Sequence, residues 1–406
     1  MTNKDGFKIT YVNLIYVAVF FVYYILFLNQ ALEVSGPLGN FASETRHHMD
    51  YSQPLLHKHW LRSFKTLQIN FEPLLHILTA MVARCIKFIS GNNETMNLAN
   101  AIAFVLSFAK LAQFIIVKKI VKATVHLSEG RTLFLTTVIN FCTVLYLPFI
   151  SFYIYMPMIT PNMLVDPTNI FLLPLAILFF YLYIKNYVKA HSQSFKRTFL
   201  LSLLLIAATL AKPAFTNIIL VVMGVYYVLH PKRFISTSLL HDLILYLPSC
   251  LILIGQILLI TNSSSGGGIE FAPYKVIGLF TSHPFIALFQ GVEFPLLITG
   301  LSAFLIRKKL SVYLSFAWVF CIISYLIYAL FSFMGPSWTA ANLAWSYQIG
   351  LALLYLFIII EYGKLFLSGP TKISGFWMNL CAINFGLIFL SGIHQFVKIY
   401  LGGFYF

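Results

Sequence analysis

Charge is scarce in this chain. Asp, Glu, Lys and Arg make up 10% of its 406 residues, against about a quarter in a soluble domain. That excludes an ordinary soluble protein. Acid is scarcer than base, with 12 carboxylates against 27 Lys and Arg. Cysteine is sparse too: Cys85, Cys142, Cys250, Cys321 and Cys381 are scattered through apolar stretches. They lack metal-ligand spacing and read as small core residues, not disulfides or ligands. No phosphate-binding glycine loop is present. The run from Ser263 to Gly268 has no Lys-Ser or Lys-Thr pair behind it and reads as a flexible outer turn. No internal repeat is evident, which weighs against transporters built from duplicated halves. No extramembrane stretch is long enough for a soluble domain, so 1–406 reads as a single transmembrane domain.

What is abundant is apolar. Hydrophobic residues are 59% of the chain and its mean hydropathy is +0.84. The expected fold is an all-α polytopic membrane protein. The first apolar segment has no small-residue cleavage site and is long enough to span, so it reads as a retained signal anchor. The net charge of +15 would suggest nucleic acid in a soluble protein. Here the basic residues cluster between apolar segments, as the positive-inside rule requires, and no nucleic-acid partner is expected.

That rule sets a topology. Lys4 and Lys8 precede the first helix (9–32) and put the N-terminus in the cytoplasm. Segment 33–97 then becomes the first extracytoplasmic loop. Its apolar run 73–89 is read as an interfacial or re-entrant helix. Were it a span, the helix at 98–117 would carry Lys118, Lys119, Lys122 and Arg131 outside. Further spans are expected at 132–156, 169–182, 238–260, 285–306, 311–333, 344–362 and 376–400. A short pair, 199–210 and 215–229, meets at Ala211-Lys212-Pro213. The total is about 11 spans, with the long first outer loop carrying interfacial helices and the C-terminus outside.

The loop 33–97 is where chemistry is expected. It holds Glu33, Glu44, Asp50, Glu72 and Glu94, five of the 12 carboxylates, together with Arg46, His47, His48, Arg62 and Tyr51. The bland alternative for Asp50 is a solvated loop acid, and for Glu33 a charge at a helix end. Glu72, before Pro73 and one turn before His76, reads equally as a helix N-terminal acid. Lys212 lies inside a hydrophobic stretch. It either snorkels to the interface or binds an anion such as a lipid phosphate. Lys110 and Glu293 are further buried-charge candidates, which could serve only as partners within the bundle. The stretches around Asn162 and Asp166, and around Asn342, Trp345 and Tyr347, suit either aromatic anchoring or a sugar or headgroup site.

These features resemble the GT-C superfamily of polytopic glycosyltransferases. The resemblance rests on the cytoplasmic N-terminus, one helix, a long outer loop with an acid, and an interfacial helix opening Glu72-Pro73-Leu74-Leu75-His76. The loop from Pro161 to Thr168, the Lys212-Pro213 break and the segment from Asn342 to Tyr347 are similar to bacterial membrane proteins of that type. The resemblance covers the whole layout through short, permissive motifs. It implies a polyprenyl-phosphate-linked sugar donor, a lipid or glycan acceptor, membrane lipids around the chain, and an active site on the outer face of the plasma membrane. It implies catalysis by Asp50, with Glu33 behind it, as a base on the acceptor or a holder of acceptor and any divalent cation; that cation is the one cofactor left open. Arg46, His48, Tyr51, Glu72, His76, Asn162, Asp166, Lys212, Asn342, Trp345 and Tyr347 would bind substrate. Asp50 stands further from the first helix than the superfamily pattern has it, so Asp50 and Glu33 remain alternatives. The superfamily's common extracellular C-terminal domain is absent. A transporter or flippase of a lipid-linked saccharide, lined by Lys110, Lys212 and Glu293, competes with this reading. A polysaccharide polymerase or ligase using Arg46, His47 and His48 is the third.

Overall fold

The structure, a computed structural model, describes residues 4–32, 44–56, 72–91, 93–146, 160–162, 164, 166–189, 194–229, 238–261, 268–305, 309–334, 343–367 and 375–401. They form thirteen α-helices: α1 Lys4–Leu32, α2 Glu44–Ser52, α3 Pro73–Ser90, α4 Glu94–Thr124, α5 Glu129–Phe141, α6 Pro167–Tyr183, α7 Phe195–Ala211, α8 Pro213–Leu229, α9 Ser238–Thr261, α10 Pro284–Gly300, α11 Val312–Leu330, α12 Ala344–Phe366 and α13 Gly375–Tyr400. Two short strands, β1 Ile269–Phe271 and β2 Phe331–Phe333, pair antiparallel with Glu270 opposite Ser332. Among the described residues nine helices are long and apolar enough to cross a membrane. The chain is an all-α polytopic membrane protein.

The nine include α3, expected at the outer surface, and leave out α5 and the pair α7 and α8. At 18 residues, α3 extends about 27 Å, close to the thickness of a hydrocarbon core. The helix expected over 132–156 ends instead at Phe141. Cys142 is extended, which would strand backbone groups in an apolar setting. They are met from elsewhere in the chain. The Asn162 amide donates to the Cys142 carbonyl at 2.6 Å, and the Thr143 N–H donates to the Ile388 carbonyl at 3.1 Å. Likewise the helix expected over 311–333 stops at Leu330, because Phe331–Phe333 leaves to pair with Ile269–Phe271, a segment read as loop. The break at Lys212 is present: its backbone is extended (φ −166°, ψ 129°), and Pro213 starts α8.

The chain divides into two compact units. One comprises Met1–Ile115 with Leu164–Pro174. Here α2 packs on α1 and α3. Asp166 caps α6, its carboxylate accepting from the Thr168 and Asn169 N–H groups at 2.9 and 3.1 Å and from both side chains at 2.7 and 2.9 Å. Lys110, at the middle of α4, is 1% exposed. Its ammonium donates to Gln113 at 3.3 Å and lies 5.7 Å from the centre of the Tyr23 ring.

The other unit comprises Ile116–Met163 with Leu175–Phe406. Its core is α12, buried along nearly its whole length and packed most extensively on α11. The end of α5 crosses α13 at Gly392, where an added Cβ would sit 1.5 Å from the Phe141 carbonyl oxygen. Gly392→Ala is therefore expected to destabilise the protein by about 1–3 kcal/mol or more, because backbone must move to admit the methyl. Gly386 lies on the same helix, and a methyl added there would meet nothing within 4 Å, so Gly386→Ala is the control. Thermal melts in detergent should show a fall for the first variant and none for the second.

Candidate functional site

The described part of the first outer loop, expected to carry interfacial helices, begins with the helix α2. α2 is mostly polar, with Met49 its one buried apolar side chain, and short helices of this kind are marginal in water. Its neighbours hold it. Thr45 donates to the Gln30 side chain at 2.9 Å, and Gln30 in turn donates to the Leu164 carbonyl at 3.2 Å. Arg46 reaches the Ala31 carbonyl at 3.4 Å. Beyond α2, Arg84 of α3 donates to the Leu55 and Leu56 carbonyls at 2.9 and 3.2 Å.

Helical spacing then sorts the side chains of α2. Arg46 and Asp50 are four apart and pair at 3.3 Å, with the Asp50 side chain 49% exposed. His48 and Ser52, also four apart, face α3. Ser52 donates to the His48 carbonyl at 2.9 Å, and its oxygen lies 3.2 Å from His76 Nδ1. The other nitrogen of His76, Nε2, lies 3.4 Å from His48 Nδ1. The two imidazoles stack at 5.1 Å, and the Tyr51 ring meets both edge-on. Ser52 has given its proton to a carbonyl, so its oxygen accepts from His76 Nδ1–H. With both rings neutral, His76 Nε2 then accepts from His48 Nδ1–H. Ser52 is fully buried and His76 is 2% exposed, while His48 is half-buried. A hydrogen-bonded chain thus runs from a buried serine through two imidazoles, on the face of α2 toward α3, while the Arg46–Asp50 pair occupies another side of the same helix.

The structure therefore forms two groups from these residues: Arg46 with Asp50, and His48 with Tyr51 and His76. Glu72 occupies the residue before α3, with Pro73 at the first helical position and His76 one turn on. Glu33 and Asn342 lie outside the described residues. Asn162 and Asp166 are each engaged in holding backbone, the first at the end of α5 and the second at the start of α6. Ser52, which links the two histidines, was not expected from sequence; its only sequence signal is the four-residue spacing from His48. Among the described residues no group of three or more His, Cys, Asp or Glu side chains is placed to hold a metal ion.

In the second unit Lys212 is 5% exposed and does not snorkel to the surface. Its ammonium lies 5.0 Å from the centre of the Trp345 ring, a contact worth about 0.5–2 kcal/mol. Ser346 beside Trp345 donates to the Ala214 carbonyl at 3.1 Å, tying the start of α12 to the start of α8. The Tyr347 ring is buried, stacks on Tyr328 at 6.0 Å and meets Tyr325 at 5.2 Å. Gly291 of α10 makes room for its hydroxyl, since a Cβ there would lie 2.8 Å from that oxygen.

No protein-family model, curated protein or solved structure matches the chain.

Proposed function

We propose that this protein is a membrane glycosyltransferase that takes a sugar from a polyprenyl-phosphate-linked donor and passes it to a lipid or glycan acceptor. The α2–α3 cluster carries the reading. It supplies a half-exposed carboxylate paired with Arg46 and, on the face of α2 toward α3, a chain of hydroxyl and imidazole groups. In the reaction Asp50 takes the proton of the acceptor hydroxyl as that oxygen bonds to the anomeric carbon. The bond from that carbon to the lipid phosphate breaks, and polyprenyl phosphate leaves with the electron pair. His48 and Tyr51 donate to or accept from sugar hydroxyls at the rim of the cluster. Lys212, in the second unit, is a separate candidate to bind a lipid phosphate, as a cation buried within apolar helices. The donor stores the energy, so no nucleotide is consumed.

In this reading the N-terminus is cytoplasmic and the α2–α3 cluster faces outward in the plasma membrane, because Lys4, Lys8, Lys118, Lys119 and Lys122 then lie on the cytoplasmic side. The competing reading, a flippase of a lipid-linked saccharide, draws on the lysine buried in the middle of α4. Purified protein in proteoliposomes separates the two. Supplied with a labelled polyprenyl-phosphate sugar and an acceptor, the transferase releases polyprenyl phosphate and labels the acceptor. Movement of intact donor across the bilayer, with its sugar–phosphate bond unbroken, would instead establish the flippase.

A further inference from the structure

The β1–β2 ribbon is amphipathic in the sense opposite to that suited to water. Along β1 exposure alternates: Ile269 is 61% exposed and Phe271 68%, while Glu270 between them is half-buried. The pairing register sets Glu270 opposite Ser332, which is fully buried, and Phe271 opposite Phe331. Residues opposite each other share a face of a sheet. The polar pair is therefore on the face toward the protein, where Lys275 meets the Glu270 carboxylate at 2.6 Å. Ile269, Phe271 and the half-buried Phe331 are on the other face, and the Phe271 and Phe331 rings meet edge-on at 5.9 Å. An antiparallel sheet with one face in water keeps its apolar side chains inward.

Membrane spans adjoin this ribbon. The Ala272 and Tyr274 N–H groups donate to the Leu330 and Ala329 carbonyls at 2.9 and 2.6 Å, fastening the ribbon to the last turn of α11. Tyr274 is the one non-glycine residue with positive φ (60°) among the described residues, a conformation that L side chains rarely take. From there its ring lies 6.0 Å from the ring of Phe285, in the first turn of α10. Both α10 and α11 are long and apolar enough to span. Phe285 is 70% exposed, and Phe289 of α10 and Leu326 of α11 are exposed as well, so the apolar surface of the ribbon continues onto both helices. Such a surface marks a protein or a membrane contact, and continuity with two spans selects the membrane. Each strand keeps one edge without a strand partner among the described residues. In hydrocarbon those backbone groups would go unsatisfied. The boundary between headgroups and acyl chains offers apolar contact to one face and water to the edges.

We propose that the β1–β2 ribbon is a lipid anchor that lays Ile269, Phe271 and Phe331 on the acyl chains at the membrane boundary where α10 starts and α11 ends, with Tyr274 at headgroup level. The Glu270–Lys275 pair is neutral overall, so the partner is the apolar boundary of the bilayer and no anionic lipid is required. The proposal needs α10 and α11 as spans and does not depend on the glycosyl-transfer reading.

The test places p-benzoylphenylalanine, a photocrosslinking aromatic that an exposed position admits, at Phe271 of the full chain in nanodiscs of radiolabelled phosphatidylcholine. Irradiation should tie lipid to the protein as efficiently as from the same probe at Phe289. It should do so at least about tenfold more than from His126, which is exposed in the turn between α4 and α5. If the Phe271 variant fails to fold, the probe at Ile269, on the same face, reads the same outcome. The anchor is overturned if both ribbon positions label lipid no more than His126 does, since that face then meets water. It is also overturned if they crosslink to a second copy of the chain in place of lipid, since the ribbon is then a subunit contact.

Discussion

Asp50→Asn is expected to lower sugar transfer by about two to four orders of magnitude, the usual cost of losing a general base. Asparagine keeps the shape of the side chain and its reach. It loses the charge and the basic oxygen that takes the acceptor's proton. The fold should not register the change. Asp50 pairs with Arg46 at 3.3 Å, but its side chain is 49% exposed, and exposed ion pairs contribute about 0–1 kcal/mol. The contacts that hold α2 in place are made by Thr45, Arg46, His48 and Ser52. The variant should therefore melt with the wild type and bind donor as the wild type does, with the loss confined to turnover at saturating donor. Initial rates in proteoliposomes and a thermal melt of the same preparation check both halves of the expectation.

Lys212→Met is expected to weaken binding of a polyprenyl-phosphate analogue by about ten- to a hundredfold, since a hydrogen bond to a charged group contributes about 1.5–3 kcal/mol. Methionine preserves the length and apolar stem of the lysine beside Trp345. Loss of a phosphate-binding cation lowers analogue affinity at unchanged Tm, whereas loss of a structural one lowers Tm. Unchanged analogue binding, or a loss of binding that tracks a loss of Tm, would remove Lys212 as a phosphate site.

The spans were legible because their residues are apolar for most of 20 positions at a time, a signal that survives without knowledge of neighbours. The Lys212 break was legible for a local reason as well, since Pro213 cannot continue the preceding ladder. The features that escaped are decided by distant partners. Nothing local stops α5 at Phe141; the exit depends on bonds to Asn162 and Ile388, which lie far along the chain. The three-residue strands Ile269–Phe271 and Phe331–Phe333 exist only as a pair, and each alone reads as loop or helix end. α2 has no hydrophobic periodicity, so its helical state follows from docking on α1 and α3. The same holds for the candidate site. Arg46 and Asp50 could be paired from their spacing, and His48 and His76 could be named. The serine that joins the two imidazoles becomes visible only when α2 meets α3. In the opposite direction, Asn162 and Asp166 look like sugar-binding residues in sequence, whereas their side chains complete the backbone bonding of α5 and α6.

The central claim, that the α2–α3 cluster performs glycosyl transfer through Asp50, is tested most directly by setting Asp50→Asn against Glu33→Gln in one assay. Both are purified and reconstituted alike, and transfer of sugar from a polyprenyl-phosphate donor to an acceptor is measured. Asp50→Asn should lose about two to four orders of magnitude in rate, and Glu33→Gln should retain most of the wild-type rate. Full turnover by Asp50→Asn with a dead Glu33→Gln would move the chemistry to the end of α1, and full turnover by both would contradict the account.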